Sequence, residues 1–143
     1  MCPNSFNVER VKADDRQEYP HRALTEKIIG CAIQVHRVLG PGYVESVYEL
    51  ALVHELVKQG MRVHRQRVYR VTYDGVEVGE HRVDVLVDET VVLELKNVEC
   101  LLPIHAAQLI SALKAVGAEV GLLINFNEEK LVHGIKRVVL TKT

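Results

Sequence analysis

The run Val91-Val92-Leu93-Glu94-Leu95-Lys96 constrains this chain more than any other stretch. Its length and apolar content fit a buried strand. Successive strand side chains point to opposite faces, so Glu94 and Lys96 share one face while Val91, Leu93 and Leu95 take the other. Placing a carboxylate and an ammonium on a hydrophobic strand costs desolvation energy. A bound cation with its water would offset that cost. A structural ion pair is the competing explanation.

The preceding segments fix what lies beside this strand. Residues 62–73 and 76–87 flank Asp74-Gly75, the signature of a type I′ hairpin. Val76 and Val78 are even-numbered, whereas Val83, Val85 and Val87 are odd, and a bulge near Gly79 reconciles the two. For the next hairpin, a three-residue loop of Asp88, Glu89 and Thr90 sets Val87 opposite Val91, Val85 opposite Leu93 and Asp84 opposite Glu94. Directly opposed residues share a face with Cβ atoms roughly 5 Å apart. A two-residue loop would mismatch the apolar faces and separate the carboxylates. The register that suits the core therefore pairs two like charges, and a shared divalent cation removes their repulsion.

Helical periodicity covers residues 24–39, with Thr25 placed to cap the start and Gly40-Pro41-Gly42 to stop it. A second helix spans residues 44–59, with Tyr48, Leu52 and Leu56 along its apolar face. Glu45 lies one turn before Tyr48, where the helix dipole alone would favour a carboxylate. Pro103 opens a third helix, which Gly117 ends. Gln108 sits at the edge of a face containing Ile104 and Ala112, and His105 occupies the first turn, where reach into the site is the weaker of its two readings. Residues 119–125 read as a strand that pairs in parallel after the crossover, followed by a turn and a last strand over 135–140. The expected fold is an α/β sandwich, a central mixed sheet flanked by helices. Residues 1–22 read as a partly disordered tail, and 23–143 as a single domain.

The net charge of −1 argues against a strongly basic nucleic-acid binder, although Arg62, His64, Arg65, Arg67 and Arg70 crowd one segment. Cys2, Cys31 and Cys100 have no metal-site or disulfide-framework spacing and are expected to be reduced thiols. No apolar run approaches the roughly 20 residues of a membrane span. The first residues carry no hydrophobic signal core, and a cytoplasmic protein is expected.

An aspartate on one strand followed by Glu-x-Lys on the next, here Asp84 then Glu94-Leu95-Lys96, resembles the PD-(D/E)XK nuclease superfamily. Val83 stands where that pattern usually has proline. Gly42-Tyr43-Val44-Glu45-Ser46-Val47-Tyr48 reads as Gly-x-x-Glu-x-x-Tyr, the signature of the superfamily's GxxExxY branch, and residues 36–42, 105–108 and 121–126 are similar to it as well. The branch commonly has a tyrosine four residues after the glutamine, where this chain has Ala112. The resemblance implies a restriction-endonuclease-like fold and a Mg²⁺-dependent phosphodiesterase, with Mn²⁺ able to substitute. It assigns Asp84, Glu94 and the Leu95 carbonyl as metal ligands, with Glu45 binding directly or through water. Lys96 would sit beside the attacking water, Gln108 would touch the phosphate or the water, and Tyr48 would support the site from behind. The implied partner is DNA or RNA. The alternatives are a non-catalytic nucleic-acid- or protein-binding module on the same fold, and a homodimeric scaffold that pairs through its sheet edges.

Overall fold

The computed structural model describes residues 20–140. Almost all of the expected tail therefore lies outside the described residues. The chain runs α1 (Arg22–Leu39), α2 (Glu45–Lys58), β1 (Val63–Tyr73), β2 (Val76–Val87), β3 (Val91–Lys96), α3 (Pro103–Val116), β4 (Val120–Asn125), a short 3₁₀ turn (Leu131–Gly134) and β5 (Ile135–Val139). The five strands form one sheet in the order β1-β2-β3-β4-β5. Only β3 and β4, joined through α3, are parallel; the other neighbours are antiparallel. Helices on both faces make this the expected α/β sandwich. No helix among the described residues is long and apolar enough to cross a membrane.

Two apolar layers cover the sheet. One holds Ile28 and Val35 of α1, Tyr48, Leu52 and Leu56 of α2, and Val85, Val87, Val91, Leu93, Leu95, Leu122 and Ile124 of the strands. The other sets Ala106, Leu109, Ala112 and Leu113 of α3 against Val83, Leu86, Val92, Leu123 and Val138. Close approach of α3 depends on Gly121. A Cβ there would lie 2.7 Å from Leu109 Cδ1 and 3.1 Å from the Val92 carbonyl. The missing side chain lets α3 settle onto β3 and β4, which brings its Gln108 over the end of β3.

Both hairpins take the expected registers. Asp74 and Gly75 both have positive φ (53° and 76°), as a type I′ turn requires. The register between β1 and β2 shifts at Val71/Thr72, opposite Gly79 and Glu77, which leaves Val78 as the extra residue of a bulge. Val87 faces Val91 and Val85 faces Leu93 across the second hairpin.

The structure corrects several expectations. Thr25 does not cap α1; the cap residue is His21, in the left-handed region, and the buried Thr25 hydroxyl donates to the Arg22 carbonyl. Ile104 is exposed rather than part of the buried face of α3. Cys31 is a buried free thiol, but Cys100 is disulfide-bonded, against the expectation of reduced thiols throughout. Val83 does not share a face with Val85 and Val87; it packs on the α3 side. The side-to-side alternation of β2 therefore breaks at Asp84. Across the ladder Gln66 has φ of 53°, and the pairing of β1 with β2 passes from Arg65↔Val85 to Arg67↔Val83. Such irregularities re-aim side chains next to functional sites.

Candidate active site

The site forms where the β2–β3 ladder stops. Regular pairing ends at Val85↔Leu93, and beyond it the Asp84 carboxylate, rather than a strand carbonyl, accepts the Leu95 N–H at 2.9 Å. Asp84 also hydrogen-bonds the Glu94 side chain. The two carboxyl groups expected to meet are thus in contact. Glu94 is buried, and its pKa is pushed up to about 8, first by desolvation and then by the charge and hydrogen bond of Asp84, with Lys96 opposing. One of its oxygens, Oε1, is buried without a hydrogen-bond partner. A buried carboxylate oxygen left unpaired is costly, and its usual explanation is an ion or a water at that point.

Lys96, at the end of β3, donates a long hydrogen bond (3.4 Å) to Gln108 Oε1 on α3. Glu45 occupies the exposed first turn of α2. Its carboxyl is also raised, first by desolvation, then by Asp84 and Glu49, with Lys96 opposing. Four of the expected residues, Glu45, Asp84, Glu94 and Lys96, therefore share one electrostatic field, and Gln108 adjoins it. Among the described residues no three His, Cys, Asp or Glu side chains stand close enough to hold one metal ion. The donor set that fits a hard divalent cation is the Asp84–Glu94 pair. Backbone carbonyls and waters would complete it, as Mg²⁺ commonly requires.

Glu45 is positioned by the loop that precedes it. Gly40 and Gly42 take φ of 69° and 119°, conformations that glycine adopts without strain. The Tyr48 hydroxyl donates to the Gly40 carbonyl and accepts the Tyr43 N–H at 3.1 Å, while its ring stacks on Phe126 at 4.5 Å. Tyr48 thus clips the loop leading into Glu45 from behind. The Asn97 amide ties the same loop to β3 by donating to the Tyr43 carbonyl at 2.6 Å. The buried Asn125 side chain holds the chain leaving β3 through both the N–H and the carbonyl of Val98. Tyr48→Phe keeps the ring and removes both hydroxyl bonds, and is expected to destabilise the fold by about 1–3 kcal/mol. Urea denaturation would measure this as a lower midpoint with an unchanged slope.

Sequence reasoning missed Asn97 and His81 at this end of the sheet and did not see what His105 does there. Asn97 carried no pattern. His105 accepts the Leu102 N–H on Nδ1 at 2.9 Å, the reciprocal half of a capping box whose other half the apolar Leu102 side chain does not supply, and desolvation, then Lys96, hold its pKa down. The cap was readable in principle, since the third helical residue is the usual reciprocal partner. His81 stands 4.0 Å from Glu94 and was hidden by the break in alternation. The basic segment of β1 is largely neutralised. Arg65 and Gln66 bind the buried Glu49, and His64 and Arg67 bind Glu89.

No curated protein and no solved structure matches the chain. A family model described as the PD-(D/E)XK nuclease superfamily matches residues 22–138, from the first residue of α1 to the penultimate residue of β5. That span contains the paired carboxylates, the lysine beside them and all of the sheet but the last residue of β5. The chain belongs to the PD-(D/E)XK nuclease superfamily.

Proposed function

We propose that this protein is a Mg²⁺-dependent phosphodiesterase of the GxxExxY branch, hydrolysing DNA or RNA. The observation that carries the reading is the coupling of Asp84 to the buried Glu94, whose Oε1 is unpaired and whose raised pKa Lys96 opposes. Asp84, Glu94 and the Leu95 carbonyl would hold the cation, with Glu45 reaching it through water. The bound cation supplies Lewis-acid polarisation of the phosphoryl oxygen and a more acidic water. Lys96 binds a non-bridging phosphate oxygen and orients the water. Gln108 accepts from Lys96, leaving its amide nitrogen to donate to the phosphate. In this reading residues 23–143 act as one domain of a cytoplasmic protein, which pairs as a homodimer through an open sheet edge at β1 or β5.

The test is cleavage of labelled DNA and RNA by the purified chain with Mg²⁺ or Mn²⁺. Activity is expected to vanish with a chelator and to fall roughly 100- to 1,000-fold in Asp84→Ala. Circular dichroism would check that the variant folds. An active Asp84→Ala chain would overturn the reading. One observation favours a non-catalytic binding module instead. Ala112 is fully buried, so the helix face one turn beyond Gln108 presents only a methyl group. That module would bind nucleic acid or protein without metal and without turnover.

A further inference from the structure

His81 lies three residues before Asp84 on β2, opposite Tyr69 of β1. Tyr69 and Val83 both pack on the α3 side of the sheet. Had β2 alternated without interruption from Val85, His81 would face α1 and α2. The break at Asp84 turns it to the face that carries Glu94. Its Nε2 stands 4.0 Å from Glu94 Oε1, the oxygen left buried and unpaired, and the His81 side chain is 26% exposed. It is therefore neither sealed in the core nor loose on the surface.

A separation of 4.0 Å is too long for a direct hydrogen bond. It suits two polar atoms sharing one water, because two contacts of about 2.8 Å, opened at a near-tetrahedral angle, set the outer atoms roughly 4–5 Å apart. An orphaned buried acceptor facing an imidazole across that gap is a water site with two of its partners already in place.

We propose that His81 is a catalytic residue: its Nε2 and Glu94 Oε1 hold between them the water that attacks phosphorus. This rests on the phosphodiesterase reading. Attack forms the bond from water oxygen to phosphorus and expels the leaving oxygen with its electron pair, and the water's proton passes to bulk solvent. His81 orients the nucleophile, and Lys96 holds the phosphate.

The test combines kinetics with crystallography of the full chain. With bis(p-nitrophenyl) phosphate and Mn²⁺, His81→Leu is expected to lower kcat by about 10- to 100-fold, with KM and the melting temperature unchanged. His81→Gln, whose amide reaches a similar position, is expected to recover part of the loss, which a structural role would not predict. A high-resolution crystal structure is expected to show an ordered water within about 3.2 Å of both atoms. Wild-type kcat in His81→Leu, or an imidazole bonded directly to Glu94, would overturn the assignment. A wild-type chain that hydrolyses nothing, with the bridging water in place, would sink the phosphodiesterase reading and leave the water site standing.

Discussion

Lys96→Ala is expected to cut metal-dependent cleavage by roughly 100- to 1,000-fold, the range seen when one preorganised stabiliser of transition-state charge is removed. The expectation rests on where the amine sits. Lys96 opposes the rise of both the Glu94 and Glu45 pKa values, so its charge is felt across the site. Among the described residues its hydrogen bond is a long one to Gln108, which leaves it available to a phosphate. Because the side chain is half-buried at the end of β3 rather than sealed in the core, the variant should melt close to wild type. Activity and thermal melting measured on one preparation check both halves. If Lys96 were only half of a structural ion pair with Glu94, the outcome would invert. Cleavage would persist, and stability would fall because a buried carboxylate had lost its counter-charge.

The second large effect is on stability as a function of pH. Glu94 titrates near 8 in the folded chain, against 4.5 when unperturbed. A carboxyl group with a raised folded pKa binds more protons in the folded state than in the unfolded state over that window. Its contribution to stability is fully present below pH 4.5 and is lost as pH rises through about 8. Without metal, the chain is expected to lose a few kcal/mol between pH 5 and 8, by order of magnitude. Glu94→Gln, which cannot ionise, should flatten this slope and be the more stable chain at pH 8. Denaturant titrations across the window, with chelator present, measure both. Adding Mg²⁺ should restore wild-type stability at pH 8 and leave Glu94→Gln nearly unchanged, because a ligand must be deprotonated to bind the ion. A flat profile in the wild-type chain would mean that Asp84 and Glu94 do not share one desolvated space.

Much of this arrangement was legible in the sequence because side-chain parity is an all-or-none signal. Once Val85, Val87, Val91 and Leu93 are required to face one core, only a three-residue loop fits, and Asp84 and Glu94 are brought together. Pro103 and Gly117 marked the ends of α3 for reasons of backbone geometry alone. The failures share a cause as well. Parity carries no warning of where it breaks, and a positive φ at Gln66 has no residue-type signature of the kind that glycine provides at Gly42. Val83 was therefore given the wrong face, and His81 went unnoticed. The basic stretch of β1 stood out as a local cluster of charge because sequence shows charge but not partners. Glu49 and Glu89, distant in the chain, take most of it up. His21 caps α1 in place of Thr25 through a left-handed backbone, which no side-chain rule would have selected.

The break at Asp84 also limits how this ribbon can change length. Between His81 and Asp84, inserting or deleting one residue in β2 would swing His81 to the opposite side of the sheet. Growth or shrinkage is tolerable nearer the tip, where the bulge at Val78 already absorbs one unmatched residue. Lineages of this chain should therefore take their indels there, with the interval from His81 to Asp84 held constant.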